Sequence, residues 1–86
     1  MDIKSLKKIL ENKLKKSFVI NNLEIEDKTF LHKKHQNFNK DKFHIKLTIK
    51  SPEFKNINSI EANRKIYSLL KDELNTSIHS LQIVIV

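Results

Sequence analysis

Residues 42–83 read KFHIKLTIKSPEFKNINSIEANRKIYSLLKDELNTSIHSLQI, and this pattern predicts a strand, a helical turn, a helix and a second strand. Apolar and polar residues alternate over residues 42–50, which is typical of a strand with one buried face. Ser51 and Pro52 then suit the N-cap and the first position of a short helical turn. The last stretch, residues 78–86, is apolar enough to predict a strand buried on much of both faces.

The segment between these two strands predicts one amphipathic helix. Asn58 and Glu61 have the spacing of a capping box, which satisfies free N–H groups at a helix start. Asn56, just before it, suits a left-handed backbone conformation. The helix is expected to end at the polar residues 75–77. Its apolar stripe consists of Ile60, Ile66, Leu69, Leu70 and Leu74, with Tyr67 at the border.

Upstream of this unit the sequence predicts a helix, a strand and a long loop. Over residues 2–17 leucines recur at helical spacing behind Asp2, which is a suitable N-cap. Residues 19–26 alternate in the manner of a second half-buried strand. Residues 27–41 are polar and predict a loop of a length that is often functional.

Together these elements predict one α+β domain that spans residues 1–86, in the order helix, strand, strand, short helix, helix, strand. The first two strands are expected to pair antiparallel, and the strand–helix–strand unit is expected to give a parallel pair. The expected product is a three-stranded mixed sheet with the helices packed on one face.

The composition argues against several classes of protein. There is no cysteine, so we expect neither disulfides nor a zinc or iron–sulfur site built from the chain's own thiolates. There is no glycine for a phosphate-binding loop, and no Ser–His–acid set has a supporting motif, so we do not expect an enzyme. Neither a signal peptide nor an apolar stretch long enough to span a membrane is visible, and the expectation is a cytoplasmic protein.

The net charge of +7 has two interpretations. Arginine, which makes bidentate contacts to bases and phosphates, occurs only at Arg64, so a solvated Lys-rich surface is the simpler one. The alternative is a nucleic-acid-binding transcriptional regulator that contacts DNA weakly through Lys50, Lys55, Arg64 and Lys65.

Residues 44–83 resemble the core of the BolA family without a gap. His44–Ser51 is similar to the family's His-Phe-Lys-Val strand that ends in Ser, and Phe54 is similar to the Phe of the following turn. Leu70–Leu74 is similar to the end of the family's long helix, and Ile78–Leu81 to the Val-His-Ala-Leu that opens its last strand.

The resemblance extends upstream, where Asp27, Thr29 and His32 are similar to the family's Asp-x-Ser-x-x-His loop. It covers residues 6–84 in all. The chain departs from the family at residues 62–64, where Ala-Asn-Arg stands in place of Arg-His-Arg. The resemblance implies the class II KH-like fold. The usual Gly-x-x-Gly clamp of KH domains on nucleic acid is excluded here by the lack of glycine.

The resemblance also implies a partnership with a monothiol glutaredoxin, in which the two proteins share a 2Fe-2S cluster. In such a complex the glutaredoxin and glutathione provide thiolates and the BolA-like protein provides nitrogen, so the chain alone would carry no cofactor. Because it has no cysteine, the chain can offer iron only imidazole or carboxylate, and histidine in place of thiolate is known for two-iron clusters. Cluster delivery and iron sensing are both left open, and no membrane partner is expected.

His79, at the start of the last predicted strand, is the first expected ligand. His32 in the loop is the second, and His35 is the alternative to it. Each has a plainer interpretation, His79 as a strand-edge residue bonded to backbone and the loop histidines as solvated residues. His32 and His35 alone are too few for a structural zinc site. His44 is expected to be a strand-surface residue without a further role.

Overall fold

The computed structural model describes residues 2–29 and 42–86. Within these residues the helices are α1 (Ile3–Ser17), α2 (Ser59–Leu69) and α3 (Lys71–Thr76), with a 3₁₀ turn at Pro52–Phe54. The strands are β1 (Asn22–Asp27), β2 (Phe43–Lys50) and β3 (Ile78–Ile85). No helix in the described part of the chain is both long and apolar enough to cross a membrane.

The three predicted N-caps are confirmed. Asp2 accepts a hydrogen bond from the Ser5 backbone N–H at 2.8 Å and so begins α1. Ser51 accepts from the Glu53 N–H at 3.2 Å, directly before a proline that suits the first position of the 3₁₀ turn. Asn58 accepts from the Glu61 N–H at 2.8 Å and begins α2.

The sheet is mixed, with the strand order β1-β2-β3, as the sequence predicts. β1 and β2 are antiparallel, with Leu23 opposite Ile49 and Ile25 opposite Leu47. β2 and β3 are parallel, with Ile45 opposite Leu81. The parallel pair places the starts of β2 and β3 at the same end of the sheet.

The core lies between the helices and one face of the sheet. The leucines on one face of α1 and the alternate apolar residues of β2 are almost fully buried. Side chains return to the same face every 3.6 residues on a helix and every 2 residues on a strand, so the apolar residues of each element lie on the face that packs against the other. The buried apolar residues are Leu6, Leu10, Leu14, Ile45, Leu47, Ile49, Phe54, Ala62, Ile66, Leu70, Ile78 and Leu81. The Lys13 ammonium also bonds both carboxylate oxygens of the largely buried Glu73, at 2.8 and 2.9 Å, and so joins α1 to α3.

The single helix predicted for residues 58–75 is wrong in two respects. It is interrupted at Leu70, where φ is −98° and ψ is 18°, although no proline or glycine marks this position. Ile60 does not belong to the buried stripe, because it is 64% exposed, whereas Ala62 is 1% exposed. Two residues along a helix are about 200° apart, so Ile60 and Ala62 lie on nearly opposite faces.

Two further expectations are corrected. No described residue has positive φ, so the left-handed conformation expected at Asn56 is wrong. β3 is an edge strand, and its residues from Ile83 to Ile85 are half-buried, so the expected burial on both faces is also wrong. Helices cover one face of the sheet, which leaves the other face of β3 in contact with solvent at Gln82.

Candidate metal centre

A β-bulge at the start of β3 separates His79 from the strand ladder. Phe43 pairs with Ile78 and His44 pairs with Ser80, so one step along β2 corresponds to two steps along β3. His79 is the extra residue and has no Cα partner on β2. A bulge of this kind changes the direction of a side chain, and it is frequent beside functional sites.

The bulge explains why His79 is exposed. Ile78 and Leu81 are 1% and 8% exposed and both face the core, although they are three positions apart and a regular strand alternates every residue. The two residues between them, His79 and Ser80, are both exposed. The sequence carried a signal for this arrangement, because the spacing of Ile78 and Leu81 breaks the period of 2.

His44 lies beside His79, and the expectation that it is a surface residue is wrong. Its side chain projects from the opposite face to Ile45, as predicted, yet the residue is only 8% exposed. The His44 and His79 rings are 4.9 Å apart between centroids and inclined at 51°. The Nδ1 atom of His44 lies 2.6 Å from the Ser80 hydroxyl oxygen. Two side chains of β3, those of His79 and Ser80, therefore lie directly against this buried imidazole.

The chain enters the predicted loop at a hydrogen-bonded turn next to His44. The Thr29 N–H donates to the Asp27 carboxylate at 2.9 Å, and the Thr29 hydroxyl donates to the same oxygen. That hydroxyl oxygen also accepts from the His44 N–H at 3.1 Å. The Lys28 N–H donates to the His44 carbonyl at 2.7 Å. Thr29, the last residue described before residue 42, is therefore bonded to the main chain of a residue that contacts His79.

The described chain resumes at residue 42, at the same end of the sheet. The Phe43 N–H, at the start of β2, donates to the Ser77 carbonyl at 2.9 Å, just before β3. His32 and His35 lie outside the described residues, and their assignment as ligands stays a prediction.

Tyr67 of α2 holds β3 immediately after the bulge. Its hydroxyl donates to the Leu81 carbonyl at 2.6 Å. Sequence reasoning placed Tyr67 at the border of the apolar stripe and did not anticipate this bond. The contact fixes the strand two residues beyond His79, on the side away from β2.

His79 is an open donor, but the described residues around it do not form a complete metal site. In residues 2–29 and 42–86 no group of three or more His, Cys, Asp or Glu side chains is arranged to hold a metal ion. The described part of the site offers one exposed imidazole beside one buried imidazole. A metal bound at His79 would take its other ligands from elsewhere.

The four cations of the alternative function line two separate depressions among the described residues. Lys50 and Lys55 line a shallow depression beside Ile85, whereas Arg64 and Lys65 line another between α1 and α2. His79 and Ile85 are at opposite ends of β3, six residues apart, which corresponds to about 20 Å at ~3.3 Å per residue. The candidate metal ligand and Lys50 are therefore well separated.

A mixed three-stranded sheet with helices on one face is the class II KH-like arrangement, and it defines this protein as a small α+β domain of that class. Comparison with known proteins specifies the family. Residues 14–86 match the family model described as BolA-like protein. The chain belongs to the BolA family.

Relatives and solved structures agree with this assignment. The protein of Haemophilus influenzae named DNA-binding transcriptional regulator BolA is 42% identical over 77 residues, which are 90% of this chain and 72% of that protein. The chloroplastic protein BOLA1 of Arabidopsis thaliana is 33% identical over 78 residues, which are 87% of this chain and 49% of that protein. The BolA domain of SufE1 from Arabidopsis thaliana superimposes with a TM-score of 0.79 at 30% identity and covers 99% of this chain and 92% of its own. BolA1 from the same plant has a TM-score of 0.78 at 31% identity, with 91% and 86% covered.

Proposed function

We propose that this protein is the partner of a monothiol glutaredoxin and that it contributes His79 to a 2Fe-2S cluster shared between them. The observation that carries the proposal is the exposed imidazole that the β3 bulge turns away from the core. A ligand for a cluster held by another protein has to be accessible at the surface, and His79 is.

The donor chemistry of the chain fits such a cluster. There is no cysteine, so the thiolates would come from the glutaredoxin and from glutathione, and this chain would add imidazole nitrogen. Histidine replaces cysteine on one iron of known two-iron centres and raises their potential, since imidazole is neutral and thiolate is an anion. The cluster would be bound only in the complex, because this chain has no thiolate of its own.

A second ligand is expected from the loop. His32 follows Thr29 by three residues, and three residues span at most about 11 Å. Thr29 in turn is bonded to the main chain of His44, whose ring contacts His79. Chain connectivity therefore supports His32 as the loop ligand, with His35 as the alternative to be tested beside it.

The test is to mix the protein with a glutaredoxin that carries a reconstituted cluster and to record visible absorption and circular dichroism. The expected result is a heterocomplex with an altered spectrum that His79→Ala abolishes. Gln82→Ala, an exposed change on the same strand beyond the bulge, is the matched control and should behave as the wild type. An unchanged spectrum on mixing, or a wild-type response from His79→Ala, would show that the proposal is wrong.

A second candidate function is DNA binding, favoured by the name of the Haemophilus influenzae relative and by the exposed pair Lys50 and Lys55. Titration of a duplex at two salt concentrations tests it. Each lost phosphate contact lowers the slope of log affinity against log salt by about 0.9, so Lys50→Ala with Lys55→Ala should lower it by about 2. His79→Ala should leave it unchanged. Binding that vanishes at physiological salt would reduce this function to non-specific attraction.

A further inference from the structure

Two side chains outside the proposed ligand set meet directly beside His79. The His44 ring contacts the His79 ring, and its Nδ1 atom shares a hydrogen bond with the Ser80 hydroxyl. We propose that His44 and Ser80 form a positioning pair that selects the orientation of the His79 ring. The purpose of this pair rests on the function proposed above, whereas its geometry does not.

The bulge creates the need for such a pair. A side chain on a regular strand is ordered by its cross-strand neighbour, but His79 has no Cα partner on β2. An exposed side chain without neighbours samples three χ1 rotamers. The contact with the His44 ring, at 4.9 Å between centroids, favours the rotamer in which the two rings meet.

The same bulge brings Ser80 opposite His44. The register passes from Phe43–Ile78 to His44–Ser80, so the extra residue both releases His79 and aligns the hydroxyl with the buried imidazole. Nδ1 and Oγ are 2.6 Å apart, so the imidazole and the hydroxyl are in direct hydrogen-bond contact. The bond connects the ring of a residue on the central strand to the residue that follows His79.

His44 is itself held from several sides, which makes it a fixed reference. Its N–H donates to the Thr29 hydroxyl at 3.1 Å, and its carbonyl accepts from the Lys28 N–H at 2.7 Å. The residue is 8% exposed, so its ring has little room to change rotamer. A ring packed against an anchored neighbour is pre-organised for a ligand, and this reduces the entropy lost on binding.

The bond to Ser80 also bears on the tautomer of His44. A serine hydroxyl can donate or accept, so the direction of this bond follows the tautomer of the His44 ring. Ser80→Ala removes this bond without touching His79. Ser80→Thr keeps the hydroxyl and suits a strand, so it is the conservative variant that should restore the wild-type behaviour.

Nuclear magnetic resonance of the free protein is the first test. Long-range proton–nitrogen spectra report the tautomer of each ring, and three-bond couplings report the χ1 populations of His79. The wild type and Ser80→Thr should show one dominant His79 rotamer. Ser80→Ala and His44→Asn should show mixed rotamers, with backbone amide spectra that confirm the same fold. Rotamer populations of His79 that are unchanged in both Ser80→Ala and His44→Asn would overturn the proposal.

Cluster binding is the second test. Immobilising one side chain is equivalent to about a two- to tenfold change in affinity, so the glutaredoxin concentration at half-maximal spectral change should rise by that factor in Ser80→Ala and return in Ser80→Thr. His79→Ala should abolish the change altogether. If the wild type forms no complex, the proposed function fails, while the rotamer measurement still decides whether the pair positions His79. If the complex forms with equal affinity and spectrum in every variant except His79→Ala, the function stands and the positioning role is wrong.

Discussion

Tyr67 on α2 carries the hydrogen bond that holds β3 just beyond the bulge, and Tyr67→Phe removes that bond alone. The phenolic hydroxyl donates to the Leu81 carbonyl at 2.6 Å, and the residue is 40% exposed. Because phenylalanine keeps the ring, almost no packing is lost. The substitution therefore isolates the contribution of one hydrogen bond to the stability of the edge that carries His79.

The size of the effect depends on whether water reaches the Leu81 carbonyl after the change. A typical hydrogen bond contributes about 1 kcal/mol net to the free energy of unfolding. A buried carbonyl that is left without a partner lowers the free energy of unfolding by about 1–3 kcal/mol. β3 is an edge strand and Tyr67 is partly exposed, so water can replace the hydroxyl. We expect a loss of about 1 kcal/mol in the free energy of unfolding, which lowers the melting temperature of a domain of this size by about 4–8 °C.

Thermal and urea unfolding followed by circular dichroism measure this loss, and Ser68→Ala, an exposed neighbour on α2, is the control. Amide hydrogen exchange should become faster at the residues of β3 around Leu81, because the strand opens locally once the bond is gone. An unchanged melting temperature in Tyr67→Phe, or an equal loss in Ser68→Ala, would refute the assignment of a stabilising role to this bond.

Two other perturbations test the frame that supports the site. Lys13→Ala should destabilise the protein by about 1–3 kcal/mol in urea unfolding, because it leaves the Glu73 carboxylate buried without its cation. Glu73→Ala should cost less, since the Lys13 ammonium can turn to water, and equal losses would contradict this reasoning. The hydrogen bond from the Ser5 backbone N–H lowers the pKa of Asp2, so the cap stabilises the fold fully above about pH 4 and loses its effect as pH falls through the lowered value. Thermal unfolding of Asp2→Ala and the wild type should differ at pH 7 and converge in acid, and a constant difference would refute the assignment.

Much of the fold could be predicted from local patterns. The leucine spacing of α1, the alternation of β2 and the N-caps at Asp2, Ser51 and Asn58 all appear as predicted. Each of these signals depends on residues within one or two turns of each other, where backbone geometry sets the period. Ile60 is an exception, because its apolar character near the helix start does not give its angular position relative to Ala62, which is the buried residue.

The site was only half predictable. The sequence indicated His79, but the burial of His44 and its bond to Ser80 depend on a pairing between residues 36 positions apart. The residues of a parallel pair are brought together by a crossover, and their register is not encoded in either strand alone. The interruption of the helix at Leu70 could not be predicted either, because no proline or glycine lies at that position.

The amino-acid inventory alone settled which donors the chain could offer a metal, since without cysteine imidazole and carboxylate were the options. The apolar pattern along the chain predicted the order of helices and strands, apart from the division of the second helix at Leu70, because the apolar period is a property of each segment. Which of the two described imidazoles, His44 or His79, reaches solvent was settled by the fold. One extra residue in β3 turns His79 outward and sets Ser80 against His44, and that register exists only when the two strands are paired.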